Sequence, residues 1–75
     1  MTVKIFAGSW ARQFIRQETA TLNLNEGSTV EDALAELSVP PDEIGLTVID
    51  NKAVARETGL RDGDIIKIFP VIAGG

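Results

Sequence analysis

The chain has 75 residues, of which 44 % are hydrophobic and 24 % are charged, and its formal net charge is −4. This length fits one small domain, and the apolar content is high enough to bury a core, which excludes a disordered chain. Because the chain contains no cysteine and no histidine, it has no disulfide framework and lacks the thiol nucleophile, the commonest general base and the commonest zinc ligand.

Two strands with an irregular connection are predicted for the first third of the chain. Residues 2–7 alternate in polarity, and the apolar face holds Val3, Ile5 and Ala7. Residues 10–16 fit either a helical turn or an irregular connection. Residues 18–25 alternate again, which predicts a half-buried antiparallel strand that ends in a turn at residues 25–27.

One helix is predicted over residues 28–37. Ser28 and Glu31 have the spacing of a capping box, in which each side chain accepts from an otherwise unpaired backbone amide. Pro40 and Pro41 end the helix because proline supplies no amide donor. Apolar residues recur at helical spacing and predict one buried stripe, formed by Val30, Ala33, Leu34 and Leu37.

Three more strands are predicted in the remainder of the chain, over residues 46–50, 53–55 and 64–69. Residues 61–64, with the sequence Arg-Asp-Gly-Asp, predict a tight turn in which the glycine takes a positive φ. Pro70 ends the last strand, because proline cannot donate to the hydrogen-bond ladder of a sheet.

The order strand, strand, helix, strand, short strand, strand predicts an α+β domain in which one helix packs on one face of a sheet. With the first and last strands adjacent and parallel, this is the ubiquitin-like β-grasp layout, with a mixed sheet of four to five strands. We therefore expect a β-grasp domain over residues 1–70 and a flexible C-terminal tail over residues 71–75.

The tail ends in Gly74 and Gly75. Because glycine has no Cβ, a tail that ends in glycine fits a narrow channel and presents an unhindered carboxylate. The alternative is a frayed end without a function. We expect Gly75 to be the functional carboxylate, with a tail that threads a partner's active site through Val71, Ile72, Ala73 and Gly74.

The triplet Lys-Ile-Phe occurs twice, at residues 4–6 and 67–69. In the predicted sheet the two triplets lie on neighbouring strands, with each isoleucine facing the helix and each phenylalanine on the open face. Exposed aromatic side chains on a sheet face indicate a docking surface, unless the connection around Trp10 folds over them. The predicted docking surface comprises Lys4, Phe6, Lys67, Phe69 and Pro70.

The acidic side chains are expected to have structural roles and no catalytic or metal-binding role. Asp62 and Asp64 are expected to be turn residues, and two carboxylates without further ligands make a poor metal site. A solvated helix face is predicted for Glu31, Asp32 and Glu36. We expect no catalytic residue, no metal site and no nucleic-acid partner, because an acidic chain lacks the basic surface that phosphates require.

The final segment, residues 60–75, resembles the end of the MoaD/ThiS sulfur carriers, in which a Leu-x-Asp-Gly-Asp turn precedes the last strand, a proline and a Gly-Gly terminus. Residues 3–7, 26–32 and 37–43 are similar to the first strand, the helix start and the helix exit of the same family. Family members often have Asn-Gly between the third and fourth strands. This chain has Asp-Asn-Lys at residues 50–52, which predicts a wider turn.

The resemblance implies a carrier protein and not an enzyme. In this family, an adenylating enzyme of the ubiquitin-activating type binds ATP and a metal ion and adenylates the C-terminal glycine, here Gly75. A sulfur donor of the desulfurase or rhodanese type then generates a thiocarboxylate. A sulfur-accepting synthase uses this group in molybdenum cofactor biosynthesis (molybdopterin-type) or thiamine biosynthesis (thiazole-type). The chain itself is expected to bind no cofactor.

Two other functions fit the same features: a ubiquitin-like modifier that is conjugated to target proteins through Gly75, and a non-catalytic interaction module. The carrier and the modifier share the adenylation step, so the sequence separates them poorly. We expect a cytoplasmic protein without a membrane partner, because the chain has neither a run of about 18 apolar residues nor a signal-peptide layout at its start.

Overall fold

Residues 1–72 are described by the computed structural model of the chain, in which five strands form one mixed sheet. The elements are β1 (Thr2–Phe6), the first 3-10 helix (Ser9–Gln13), β2 (Thr19–Asn23), α1 (Val30–Ala35), the second 3-10 helix (Pro41–Glu43), β3 (Ile44–Ile49), β4 (Lys52–Ala53) and β5 (Ile65–Pro70). The strand order is β2-β1-β5-β3-β4, with β1 and β5 parallel and the other three pairs antiparallel. One α-helix, α1, packs on one face, and two short 3-10 helices precede β2 and β3, so the predicted α+β arrangement is confirmed.

The core lies between the sheet and α1, as the alternating pattern predicts. Val3 and Ile5 on β1 are each 1 % exposed, and Ile66 and Ile68 on β5 are 0 % and 2 % exposed. Because β1 and β5 are parallel with Ile5 opposite Ile66, the two central strands direct their isoleucines to the same side. These side chains form one cluster with the buried face of the helix, which holds Val30, Ala33 and Leu34.

Helix α1 begins one residue later than a Ser28–Glu31 capping box requires, so that prediction is wrong. Thr29 is the N-cap: its side chain accepts from the Asp32 amide at 3.3 Å, and Asp32 Oδ2 accepts from the Thr29 amide at 2.8 Å. Ser28 is held by its backbone instead, because its carbonyl accepts from the Leu60 amide at 2.9 Å. The Ser28 carbonyl therefore lies in a long-range contact, and the capping box begins at the next residue.

The helix is also shorter than predicted. At its start, the amides of Val30 and Glu31 donate to the carbonyls of Thr58 and Arg56, both at 2.9 Å. At its end, the Leu37 amide donates three residues back at 3.0 Å, which is the spacing of a 3-10 turn. Leu37 is still packed against the core as the predicted stripe requires, but it lies outside the regular helix.

Strands β3 and β4 form a hairpin with a two-residue turn, so the predicted wider turn is wrong. Ile49 pairs with Lys52, and the residues between them, Asp50 and Asn51, have φ values of 52° and 65°. Two consecutive positive φ values are typical of a type I′ turn, whose twist matches that of a hairpin. Aspartate and asparagine tolerate this conformation better than most residues, so the turn closes without a glycine.

The predicted tight turn before β5 is confirmed, and it is tied to the start of β1. Gly63 has a φ of 87°, and Asp64 Oδ2 accepts from the Arg61 amide at 2.8 Å. Asp62 Oδ1 accepts from the Thr2 amide at 2.7 Å, and the Gly63 amide donates to the Thr2 carbonyl at 2.7 Å. Both carboxylates therefore serve the turn and the adjoining strand.

Candidate docking face and tail base

The open face of the sheet presents the two phenylalanines of the repeated triplet. Phe6 on β1 and Phe69 on β5 are 42 % and 45 % exposed, while the isoleucine before each lies in the core. Phe6 lies opposite Lys67, and both Lys4 and Lys67 are exposed. The predicted strand parity is confirmed, whereas the docking role of this face stays a prediction.

A shallow groove of about 570 Å³ lies beside the phenylalanines, and Phe6, Phe69, Trp10 and Glu18 contribute to its lining. Trp10 belongs to the first 3-10 helix, where it is half-buried and packs against the core. It borders the groove and leaves both phenylalanines exposed. The alternative in which the connection around Trp10 covers the two aromatic rings is therefore wrong.

Two further apolar side chains extend this face beyond the predicted docking surface. Leu46 on β3 lies opposite Phe69, Ile65 on β5 lies opposite Lys4, and each is 46 % exposed. On this part of β3 the usual alternation is reversed. The polar Thr47 is buried, with 5 % exposure, and the apolar Leu46 faces outward. A strand that buries threonine and exposes leucine indicates a contact surface. We call Phe6, Leu46, Ile65 and Phe69 the apolar patch.

Positive charge borders the apolar patch in a chain whose net charge is −4. Lys4 and Lys67 are exposed and form no ion pair with any residue in the range 1–72. The predicted solvated acidic face is found on the helix, on the other side of the sheet, where the exposed residues are Glu31, Asp32 and Glu36. Two lysines therefore border the apolar patch, while these three acidic residues lie on the opposite side of the sheet.

The tail leaves the sheet beside the start of β3. Pro70 pairs with Ile44, and the Val71 amide donates to the Glu43 carbonyl at 3.0 Å. Val71 is 52 % exposed and Ile72 is 89 % exposed. Within residues 71–72, one backbone hydrogen bond thus lies beyond the predicted domain boundary at residue 70. The remaining predicted tail residues lie outside the described part of the chain: Ala73, Gly74 and Gly75.

The acidic side chains of the described residues do not group into a metal site. Within residues 1–72, no three of them come close enough together to hold a metal ion. A helix long and apolar enough to cross a membrane is likewise not found in this range.

Comparison with protein families gives a match along almost the whole chain. The model of the ThiS family matches residues 3–75. The chain belongs to the ThiS family. Members of this family are small carrier proteins and not catalysts. No curated protein matches the chain.

Solved structures share the fold of this ThiS-family chain. SAMP1 from Haloferax volcanii has 18 % sequence identity and a TM-score of 0.78, and the match covers 100 % of both chains. A putative molybdopterin converting factor, subunit 1, from Pyrococcus furiosus has 21 % identity and a TM-score of 0.80 over 96 % of this chain and 99 % of that one. The HVO 2177 protein of Haloferax volcanii has 22 % identity and a TM-score of 0.77, and the match covers 100 % of this chain and 87 % of that one. These likenesses show the ubiquitin-like β-grasp fold.

Proposed function

We propose that this ThiS-family chain is a sulfur carrier whose Gly75 carboxylate is adenylated and then converted to a thiocarboxylate. The observation that carries the proposal is the family match over residues 3–75, which includes the Gly-Gly end. The fold supports it, because the tail leaves the sheet next to Phe69 of the exposed apolar patch. A partner that binds the patch is therefore close to the point from which the tail extends.

The proposed chemistry begins at the C-terminal carboxylate. An oxygen of Gly75 attacks the α-phosphorus of ATP, the bond from this phosphorus to the oxygen that bridges to the β-phosphate breaks, and pyrophosphate leaves. A persulfide sulfur of the donor attacks the acyl carbon and displaces AMP. A thiol then cleaves the S–S bond, which leaves the thiocarboxylate on Gly75 and a disulfide on the donor side.

Activation of the reactants is assigned to the partners. The chain has no histidine, the commonest side chain for proton transfer, and no cysteine, which a persulfide requires. An adenylating enzyme binds ATP and its metal ion, a desulfurase or rhodanese-type donor holds the persulfide, and a synthase accepts the sulfur. The carrier supplies the docking surface and the reacting carboxylate.

The apolar patch is the proposed docking surface for the adenylating enzyme and later for the synthase. Phe6 and Phe69 leave 42 % and 45 % of their surface available for burial by a partner, and aromatic side chains often dominate the energetics of such interfaces. Lys4 and Lys67 border the patch and favour a partner surface with acidic groups around an apolar centre. Pro70 ends β5 directly after Phe69 and pairs with Ile44 of β3.

The tail is long enough to reach into a partner. Four residues follow Val71 in the sequence. In extended form, residues 72–75 span about 13 Å at roughly 3.3 Å per residue. Because Gly74 and Gly75 have no Cβ, the end of this segment is narrow. The proposal therefore requires the tail to enter the active site of the adenylating enzyme in an extended form.

Adenylation of the purified chain tests the proposal. With the activating enzyme and ATP, the chain should release pyrophosphate. After addition of a persulfide donor, its mass should show one oxygen replaced by sulfur. The matched control is a chain that lacks Gly74 and Gly75, which should melt at the same temperature and show neither reaction. Absence of pyrophosphate release from the full-length chain would contradict the proposal.

A ubiquitin-like modifier is the second candidate, because one solved structure with this fold is small archaeal modifier protein 1. A modifier forms the same adenylate but transfers Gly75 to a lysine, so higher-mass conjugates distinguish it from a carrier. A non-catalytic interaction module is the third candidate, and it would keep its binding function after removal of Gly74 and Gly75.

The acceptor is proposed from the names of related proteins. A structural neighbour is named as a putative molybdopterin converting factor subunit, and the family model carries the name ThiS. We therefore propose sulfur donation in molybdenum cofactor or thiamine biosynthesis, within the cytoplasm. Binding of the chain to a molybdopterin-type synthase or to a thiazole-type synthase distinguishes the two pathways.

A further inference from the structure

The base of the tail passes very close to one glycine of β3. Between Ile44 and Leu46, β3 has one residue more than the paired segment of β5, and this extra residue, Gly45, forms a β-bulge. A Cβ on Gly45 would lie 2.8 Å from the Pro70 carbonyl oxygen and 2.9 Å from Val71 Cα. Both distances are shorter than real Cβ contacts, so this position needs glycine for close backbone approach.

A hydrogen bond fixes the same approach from the preceding turn. The Val71 amide donates to the Glu43 carbonyl at 3.0 Å, so Glu43 and Gly45 contact the tail base from two points on one segment. We propose that this tail clamp, formed by the Glu43 carbonyl and Gly45, sets the direction in which the tail leaves the sheet. Gly45 is thereby a positioning residue for adenylation, a role that rests on the proposed carrier function.

Within the tail clamp, the start of β3 is held more firmly than the base of the tail. Arg56 Nη2 donates to the carbonyls of Pro41 and Ile44 at 2.9 Å and 3.3 Å, which braces the start of β3. Ile44 is 5 % exposed and belongs to the core, whereas Val71 is 52 % exposed. A side chain added at Gly45 therefore displaces the tail and leaves β3 in place.

Alanine at Gly45 pushes the tail base outward. An ordinary van der Waals separation of at least 3.4 Å, in place of 2.8 Å, requires the Pro70 carbonyl to move by about 0.6 Å or more. This shift weakens the hydrogen bond of Val71 and widens the range of directions available to the tail. Misplacement of a reacting group by about 1 Å lowers rates by around 10²-fold. The change should slow adenylation more than it weakens docking, because it replaces no residue of the apolar patch.

The test compares the wild-type chain with Gly45→Ala and with Gly59→Ala. Gly59 is the matched control, because a Cβ at this position meets no atom within 4 Å and its φ is not positive. The first measurement is hydrogen exchange of the Val71 amide in the isolated chain. The second is ATP–pyrophosphate exchange with the activating enzyme at varied carrier concentration, which gives kcat and KM separately.

In the wild type and in Gly59→Ala, we expect the Val71 amide to exchange at least about tenfold more slowly than in an unfolded chain. In Gly45→Ala this protection should be lost. The same variant should lower kcat at least about tenfold while KM stays within about twofold of the wild-type value. Thermal unfolding of Gly45→Ala shows whether the remainder of the fold is intact.

Several results would overturn the tail clamp: an unprotected Val71 amide in the wild type, unchanged protection in Gly45→Ala, unchanged kinetics, or a raised KM with an unchanged kcat. If Gly45→Ala does not fold, hydrogen exchange of the wild-type Val71 amide decides alone. If the wild-type chain supports no pyrophosphate exchange, the carrier function fails, while hydrogen exchange still decides whether the tail is clamped.

Discussion

Replacement of Phe69 by alanine separates a docking role of the open sheet face from a structural one. Full burial of a phenylalanine contributes about 1.5–3 kcal/mol. Since Phe69 is 45 % exposed, we expect Phe69→Ala to lower the free energy of unfolding by only about 1–1.5 kcal/mol. The neighbouring Ile68→Ala is the matched control: this side chain is 2 % exposed, and its truncation should cost about 2–5 kcal/mol.

We expect a binding assay to rank the two variants in the opposite order. Truncation of an interface hot spot costs about 2 kcal/mol or more, so with Phe69 as a hot spot the Phe69→Ala change should raise the Kd for the adenylating enzyme by about 30-fold. Ile68→Ala should bind normally once the measurement is corrected for its unfolded fraction. Urea unfolding and a titration of each folded variant give both numbers. The reasoning is refuted if Phe69→Ala lowers the free energy of unfolding by about 3 kcal/mol or more, or if it binds as the wild type does.

Three further predictions concern the tail, the turn before β5 and the brace of β3. One alanine added after Gly75 should leave folding and docking intact but abolish ATP–pyrophosphate exchange, because it moves the carboxylate by one residue; exchange at the wild-type rate would show that Gly75 is not activated. Gly63→Ala should lower the free energy of unfolding in urea by about 1–2 kcal/mol, because φ at this position is 87°. A loss of stability no larger than that of Gly59→Ala would contradict the assigned turn. Arg56→Met should lower the free energy of unfolding by about 1–3 kcal/mol, because the Pro41 and Ile44 carbonyls lose a charged donor. An unchanged melting temperature would show that these two hydrogen bonds are dispensable for stability.

The faces of the central strands are predictable from local alternation. Side chains on a strand alternate between its two faces, so burial of Ile5 and Ile68 places Phe6 and Phe69 on the open face. The repeated triplet therefore identifies half of the apolar patch from the sequence. Leu46 was not predictable in the same way, because its position opposite Phe69 depends on a register that contains a β-bulge.

Features that depend on contacts between distant segments cannot be predicted from local sequence patterns. Ser28 and Thr29 both carry a hydroxyl that could cap the helix. In the fold the Ser28 carbonyl accepts from the distant Leu60 amide, while the Thr29 carbonyl accepts the first bond of the helix, from Ala33. The requirement for glycine at position 45 has the same origin. It arises from the path of Val71, which lies 26 residues further along the chain, and from no property of β3 alone.

The state of the C-terminus in the native host tests the sulfur-carrier function most directly. Intact-mass analysis of the chain, purified from cells without a thiol-reactive reagent, should show a population in which one oxygen of the Gly75 carboxylate is replaced by sulfur. Treatment with a thiol-reactive alkylating agent should add one group to that population, although the chain has no cysteine. Recovery of the chain only as a carboxylate, or only in isopeptide conjugates with other proteins, would contradict the sulfur-carrier function.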